Sequence, residues 1–230
     1  MSMKRIFCIC LTFVFSIVLM NSNSLVLNAA PQTNDLSFLS TSSIERINSE
    51  IAIPQNAVIE TVPVISTRSV GHISDAKKIS FTEEIREVNN VKQYKTTSYL
   101  ATQVYQGGSG SGKYDIAGSI TIFWDAYVNQ YNIVYFKLLN VTGYIVDQNT
   151  NLITAKAFDI RGTISDSSRY YDLFSDGVKV SNPASGQNYG KVFNMTTYYD
   201  AGSNFGFVKG QIDFSNNDYV YWDWCIQRGS

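Results

Sequence analysis

The sequence predicts an all-β protein, an antiparallel β-sandwich of about eight strands. The densest β-forming stretch is residues 119–146, where β-branched and aromatic residues recur with a period of two around a polar pair, Asn129 and Gln130. This pattern predicts two long strands joined by a tight hairpin. From residue 91 onward strand signals repeat at short intervals between polar turns, with no convincing helix between them. A partly closed β-barrel is the alternative.

Residues 1–30 predict a secretory signal peptide. Lys4 and Arg5 precede an apolar run over residues 6–20, and the segment after it ends in small residues at Ala30. The run is short for a membrane-spanning helix, which needs about 20 apolar residues. The mature protein is therefore expected to be secreted and extracellular.

The cysteine count indicates the kind of cell that exports the chain. Cys8 and Cys10 leave with the signal peptide, so Cys225 is the one cysteine of the mature chain and no internal disulfide is expected. Secreted eukaryotic domains of this size often contain disulfides. Their absence favours export from a bacterium, and the general character of the chain is typical of small exported β proteins of Gram-positive bacteria.

Composition changes sharply near residue 92. All 15 tyrosines lie at or beyond Tyr94, whereas every glutamate lies before residue 88. Residues 31–91 are rich in Ser, Thr and Asn and predict a largely irregular linker or pro-segment. A short helix is expected near residues 80–89, because Phe81, Ile85 and Val88 have helical spacing. Residues 92–230 are then the sandwich domain.

Alternating apolar residues and polar turns place each strand of that domain. The predicted strands are residues 92–105, 114–128, 131–146, 152–163, 178–181, 191–199, 205–214 and 219–227.

Several function classes are excluded by missing residues. The single histidine, His72, precedes the predicted sandwich domain, which has no glutamate. That excludes most Ser-His-Asp triads, Cys-His pairs and histidine-based zinc sites. A glycine-rich stretch over residues 107–113 resembles a phosphate-binding loop, but Tyr114 and a strand follow it where a hydroxyl residue and a helix are needed. No catalytic residue, metal or cofactor is predicted, and a net charge of -1 without a basic run argues against nucleic acid.

The last strand carries the main candidate binding residues. Alternation places Val220, Trp222, Trp224 and Ile226 on one face, which is expected to be core. The opposite face carries Tyr219, Tyr221 and Asp223, two aromatic rings in line beside a carboxylate. Such a surface could stack on sugar rings and bond their hydroxyls.

A second candidate surface is the loop over residues 165–177. Tyr170 and Tyr171 are expected either to close the end of the sandwich or to contact a ligand. The aspartates of this loop are explained by turn chemistry without a metal ion.

These observations favour a secreted bacterial binding module without enzymatic activity, which contacts a cell-surface glycan or protein. One alternative is a secreted antibacterial, bacteriocin-like or pore-forming β protein. It draws on the Ser/Thr-rich hairpin of residues 92–128 and is the one case in which a membrane is the partner. Another alternative is a glycoside hydrolase with two catalytic aspartates, which must face each other about 5–10 Å apart.

Overall fold

The computed structural model describes residues 35–50, 53–66, 71–105, 112–146, 153–168 and 171–226. The predicted signal peptide, residues 1–30, lies outside these described residues. The predicted fold class is confirmed, since the strands form two antiparallel sheets and not a closed barrel. Among the elements described, eight strands have eight or more residues and four are shorter.

The elements follow one another along the chain with one helix before the first strand of the described part. They are α1 (Thr41–Glu50), β1 (Val58–Thr61), β2 (Val64–Ile65), β3 (His72–Val88), β4 (Val91–Tyr105), β5 (Asp115–Val128), β6 (Val134–Ile145), β7 (Ala155–Asp166), β8 (Asp172–Ser181), β9 (Tyr189–Val192), β10 (Tyr199–Asp200), β11 (Asn204–Phe214) and β12 (Tyr219–Ile226).

The two sheets have different sizes. The seven-stranded sheet has the order β1-β3-β4-β5-β6-β10, and β9 also pairs with β6. The five-stranded sheet has the order β2-β12-β11-β7-β8. The predicted hairpin over residues 119–146 is the β5–β6 pair, which extends from Gly118 and Ile145 to Val128 and Val134 with one register shift, between Phe123 and Trp124.

The main core lies between the two sheets. Apolar side chains from both inner faces form one buried cluster, in which Phe136, Phe158 and Trp222 are the largest buried rings. Two of the aromatic contacts need a glycine on the facing strand. A Cβ atom on Gly206 would lie 2.5 Å from the ring of Phe136, and one on Gly162 would lie 2.6 Å from the ring of Phe193.

A second, smaller core lies on the outer face of the seven-stranded sheet. Residues 35–40 and the helix α1 cover part of that face, and both Leu39 and Ile47 are buried against it. The sheet residues below them are Ile79, Phe81, Tyr99, Ala101 and Ile116.

Polar contacts hold both ends of α1 on the sheet. At its beginning, Ser43 Oγ accepts a hydrogen bond from the Ile116 N–H at 3.0 Å. At its end, the Glu50 carboxylate accepts hydrogen bonds from the hydroxyls of Tyr99 at 3.2 Å and Tyr144 at 2.6 Å. Burial, and then the Glu50 carboxylate as a charge and an acceptor, raises the pKa of both tyrosines.

The predictions for residues 31–91 are wrong over the part that is described. The expected helix near residues 80–89 is instead the second half of β3, which pairs with β4. Phe81 is buried, but Ile85 and Val88 are 45% and 55% exposed, so the three residues do not share a buried face. The boundary predicted at residue 92 is also wrong, because β1, β2 and β3 belong to the two sheets.

The physical reason is that long-range pairing outweighs local spacing. A helix of about ten residues is marginal in water, whereas β3 pairs with β4 from Ser80 to Val88, with a register shift at Ile85. Cross-strand ion pairs add to it, with Lys92 2.9 Å from Glu84 and Lys95 3.6 Å from Glu83. The charged residues also protect the end of β3 beyond its pairing with β1 from pairing with another chain.

Two inner-face hydroxyl residues of β4 differ in their hydrogen bonding. Thr96 Oγ1 accepts a hydrogen bond from Trp124 Nε1 at 3.1 Å and shares another with Thr82 Oγ1 at 2.8 Å. Ser98 Oγ is buried without a hydrogen-bond partner among the described residues. A buried hydroxyl without a partner costs about 1–3 kcal/mol of desolvation.

We therefore expect Ser98→Ala to raise the free energy of unfolding by about 1 kcal/mol. Thr96→Val should lower it by about 1–3 kcal/mol, because it leaves the Trp124 N–H and the Thr82 hydroxyl without their partner. Urea denaturation followed by tryptophan fluorescence measures both. A clear loss of stability in Ser98→Ala would mean that its hydroxyl makes a stabilising bond.

Alkaline pH should destabilise the fold through Tyr99 and Tyr144. Their pKa values are raised in the folded state, so above about pH 10 the unfolded chain loses their protons first. The free energy of unfolding then falls by up to about 1.4 kcal/mol per pH unit for each of them. Urea denaturation at pH 8 and pH 11 should show a smaller alkaline loss in Tyr144→Phe than in the wild type; an equal loss would contradict this assignment.

Candidate functional site

The last strand, β12, separates core from surface as its alternation predicts. Val220, Trp222 and Ile226 are buried between the sheets. Trp224 is half-buried, with its ring 5.2 Å from that of Trp124. The half-buried residues Tyr219, Tyr221 and Asp223 point to the outer face of the five-stranded sheet, and we call these three the tyrosine row.

The neighbouring strand β11 gives each member of the tyrosine row a polar partner position. The register pairs Tyr219 with Asp213, Tyr221 with Gln211, and Asp223 with Lys209.

The β11 side chains are ordered by hydrogen bonds along the strand. Lys209 Nζ donates to Gln211 Oε1 at 2.8 Å, and Gln211 Nε2 donates to Asp213 Oδ1 at 2.6 Å. Lys209 Nζ also lies 4.9 Å from the centre of the Tyr221 ring, within cation–π distance. The tyrosine row is therefore the edge of an ordered polar surface.

A groove of about 440 Å³ lies at the Tyr219 end of this face, and we call it the end groove. It presents amine, carboxylate, amide and hydroxyl groups, and a bound ligand there would touch the Tyr219 ring. Its lining residues are Lys156, Ala157, Lys179, Ser181, Asn182, Asp213, Phe214, Asn217, Asp218 and Tyr219.

Asp218 holds one side of the end groove in place. It is fully buried, and its Oδ2 accepts hydrogen bonds from the Ile73 N–H at 2.8 Å and from Asn216 Nδ2 at 2.9 Å. These bonds join the start of β3 to the turn before β12. The same turn contains Asn217 at a φ of 68°, a left-handed conformation that asparagine tolerates better than most residues.

Two aspartates lie close together beside the end groove. Asp159 on β7 pairs with Gln211, and Asp213 lies two residues further along β11. The Cα atoms of such diagonal neighbours on one sheet face lie about 7–8 Å apart. Asp159 Oδ1 is buried without a hydrogen-bond partner within the described part of the chain. Lys179 lies 3.8 Å from Asp213 Oδ2.

The structure does not bring the second predicted surface to the tyrosine row. Tyr170 lies outside the described residues, and Tyr171 is exposed just before β8. Asp172 pairs with Ser165 of β7, which in turn pairs with Phe205 of β11, whereas Tyr219 pairs with Asp213 of β11. Phe205 and Asp213 are eight residues apart along β11, which is about 27 Å.

A group of three tyrosines on the outer face of the seven-stranded sheet was not predicted as a site. Tyr127 stacks on Tyr135 with ring centres 5.1 Å apart and 8° between the planes. The Tyr198 ring meets Tyr127 edge-on, also at 5.1 Å. We call these three residues the tyrosine cluster. The alternation of β5 already places Tyr127 on the outer face, but Tyr198 joins it only through the fold.

Asp125 orders the polar side of the tyrosine cluster. Its carboxylate accepts hydrogen bonds from Gln93 Nε2 at 3.2 Å and from the Tyr198 hydroxyl at 3.3 Å. Burial, and then the charge of Asp125, raises the pKa of the Tyr198 hydroxyl above its ordinary value. Lys137 Nζ lies 4.6 Å from the centre of the Tyr198 ring.

His72 and Cys225 do not form a catalytic pair. The N–H of Ile73, the residue after His72, donates a hydrogen bond to Asp218, so His72 lies near Asp218. Cys225 lies seven residues beyond Asp218 along an extended strand, which places it about 23 Å from Asp218. Among the described residues, no group of three His, Cys, Asp or Glu side chains is arranged to hold a metal ion.

Comparisons with known proteins gave no match: no family model, no curated protein and no solved structure matches this chain. The described part of the chain contains no helix that is long and apolar enough to cross a membrane.

Asp218→Ala should lower the free energy of unfolding by about 2–3 kcal/mol, because the buried Ile73 N–H loses its acceptor. The end groove should also lose its shape, since the turn before β12 then keeps the bond from Asn216 Nδ2 to the Gly71 carbonyl but loses its direct bond to Ile73. Thermal denaturation measures the first effect. Asn217→Gly, a neighbouring change that leaves these bonds in place and that suits the left-handed φ of 68° at this position, should cost less; an equal cost would show that Asp218 is not the main link.

Proposed function

We propose that this protein is a secreted bacterial binding module without enzymatic activity, which contacts a cell-surface glycan through the tyrosine row and the end groove. The observation that carries the proposal is the continuity of the two, because Tyr219 belongs to both. Aromatic rings beside a concave polar surface suit a ligand with apolar ring faces and many hydroxyls, which is the chemistry of a sugar chain.

The polar groups around the end groove suit hydroxyl recognition. Lys156 and Lys179 are hydrogen-bond donors, the Asp213 carboxylate is an acceptor, and the Asn182 and Asn217 amides are both. Tyrosine supplies a large, rigid contact area at low entropic cost. The order of the Lys209, Gln211 and Asp213 side chains lowers the entropy lost on binding.

Secretion and a bacterial source are supported by the sequence of residues 1–30 and by the absence of disulfide-forming cysteines in the mature chain. A cell-surface protein as the partner agrees with the same surface, because tyrosine is enriched at protein interfaces. The sugar ligand is preferred because eight of the ten residues that line the groove carry a hydroxyl, amide or charged group, and apolar side-chain surface lies between these groups.

The alternative of a pore-forming or bacteriocin-like protein needs a larger change of structure. The hairpin considered for membrane insertion is β4–β5, in which residues 96–102 of β4 are buried. Insertion would have to separate them from both the main core and the α1 layer. No residue contact in the described structure favours this alternative.

One observation favours the two-aspartate glycoside hydrolase as a second candidate. Asp159 and Asp213 are diagonal neighbours on the sheet face beside the end groove, and the Cα atoms of such neighbours lie about 7–8 Å apart. Side chains from positions this close can bring two carboxyl groups to the separation of about 5–10 Å that catalytic pairs in glycosidases have. The two functions share a ligand class and differ in whether the bound sugar chain is cleaved.

The proposal is tested with a panel of soluble glycans: a β-glucan, a xylan, a mannan, a chito-oligosaccharide and solubilised peptidoglycan. We expect the protein to bind at least one of them in affinity electrophoresis. Tyr219→Ala with Tyr221→Ala should weaken that binding about tenfold, which corresponds to about 1.4 kcal/mol. Failure to bind any glycan of the panel would overturn the proposal.

The matched control is Tyr171→Ala, which removes an exposed tyrosine at the far end of the same sheet and should leave affinity unchanged. Release of reducing sugar from the bound glycan distinguishes the hydrolase. If sugar is released and Asp159→Asn or Asp213→Asn stops the release without stopping binding, the protein is an enzyme and the non-enzymatic proposal is wrong.

A further inference from the structure

The outer face of the seven-stranded sheet has two halves with different coverings. Residues 35–40 and α1 cover the half that contains Ile79 and Tyr99. The other half, toward the β5–β6 turn, carries the tyrosine cluster, and its three rings are half-buried. The described residues therefore leave an ordered aromatic surface uncovered on the side opposite the tyrosine row.

The tyrosine cluster is held rigid by contacts among its own members. The stacked pair Tyr127 and Tyr135 comes from adjacent strands that face each other in the β5–β6 register. Tyr198 is held from both sides, by the edge contact with Tyr127 and by the Lys137 amine over its ring. Because these rings are already ordered, a ligand that binds there causes little further loss of side-chain entropy.

The polar groups beside the rings have hydrogen-bonding capacity left. A carboxylate has about four lone-pair sites, and those of Asp125 receive one bond from Gln93 and one from Tyr198. Lys137 has no carboxylate within ion-pair distance among the described residues, although Asp125 is directly opposite it in the register. One carboxylate and one amine give the surface no net charge, which favours an uncharged ligand.

The most exposed large hydrophobic side chain of the described residues lies at the same end of the sheet. Tyr131 is 72% exposed and lies at the tip of the turn between β5 and β6, four residues from both Tyr127 and Tyr135. The turn is fixed rather than loose, because Asn129 Oδ1 accepts hydrogen bonds from the N–H groups of Tyr131 at 2.9 Å and Ile133 at 3.0 Å. Four tyrosines thus gather at one end of the sheet.

We propose that the tyrosine cluster, with Asp125, Lys137 and Tyr131, is a second glycan-binding surface that takes uncharged hexose chains. The inference rests on the proposed function and makes the protein bivalent, with binding surfaces on opposite faces of the sandwich. Two surfaces that face away from each other bind two sugar chains, or two distant segments of one chain. Linked sites of this kind raise the overall avidity without new contacts.

The experiment measures stoichiometry and crosslinking separately. Isothermal titration of the wild type with an uncharged hexasaccharide from the bound glycan should give two sites per chain. Tyr219→Ala with Tyr221→Ala should leave one site, and adding Tyr198→Ala should remove it. With the long polysaccharide, the wild type should scatter light because it crosslinks the chains. Tyr219→Ala with Tyr221→Ala should abolish the scattering, and so should Tyr198→Ala alone.

Two variants that keep all of the tyrosine rings protect this test from a folding defect. Asp125→Asn keeps the shape of the side chain, and Lys137→Ala removes an outer-face amine; each should weaken the second site at least fivefold with an unchanged melting temperature. The control is Tyr105→Ala, an exposed tyrosine at the other end of β4, which should have no effect on this site.

The outcomes separate this inference from the proposed function. If the wild type binds one hexasaccharide and Tyr198→Ala, Asp125→Asn and Lys137→Ala bind it normally, the second surface is wrong and the tyrosine row stands. If the tyrosine cluster variants lose all binding and the tyrosine row variants lose none, the proposed location of the primary site is wrong. Absence of binding to every glycan overturns both.

Discussion

The contact between the two sheets is the constraint on which the rest of the structure depends. Aromatic rings from one part of the chain pack on glycines of another, as Phe136 does on Gly206 and Phe193 on Gly162. A side chain at either glycine would overlap a ring, so the two sheets pack this closely only with glycine at both positions. Because side chains alternate along a strand, the residues between those that face the other sheet point outward. Both candidate binding surfaces consist of such outward residues.

The N-terminal layer decides how much of the outer surface remains available. Without residues 35–40 and α1, the apolar side chains of Ile79 and Phe81 would face solvent on the seven-stranded sheet. Hydrogen bonds from Tyr99 and Tyr144 to Glu50 hold the end of the helix over that area. The layer stops short of Tyr127 and Tyr135, and the five-stranded sheet has no such cover among the described residues. The proposed glycan surfaces are two of the aromatic areas that remain on the outer faces.

Local patterns predicted well those strands whose two faces have different environments. β5, β11 and β12 alternate between core and surface, and their predicted ranges agree with the structure within about one residue at each end. β8 was predicted too short, and the predicted strand over residues 191–199 is two short strands, β9 and β10. β3 was missed because its second half is charged and exposed and so lacks the alternation of a half-buried strand. Its few apolar residues there have helical spacing instead.

The sequence by itself determined the fold class, the hairpin of β5 and β6, and the outward direction of Tyr219, Tyr221 and Asp223, because a period of two is a local property of the chain. Only the tertiary structure decided which outward residues meet. Tyr198 reaches Tyr127, and Lys156 and Lys179 reach the end groove beside Tyr219, through pairings between strands distant in the chain. Such neighbours depend on strand order and register, which the alternation within a single strand does not contain.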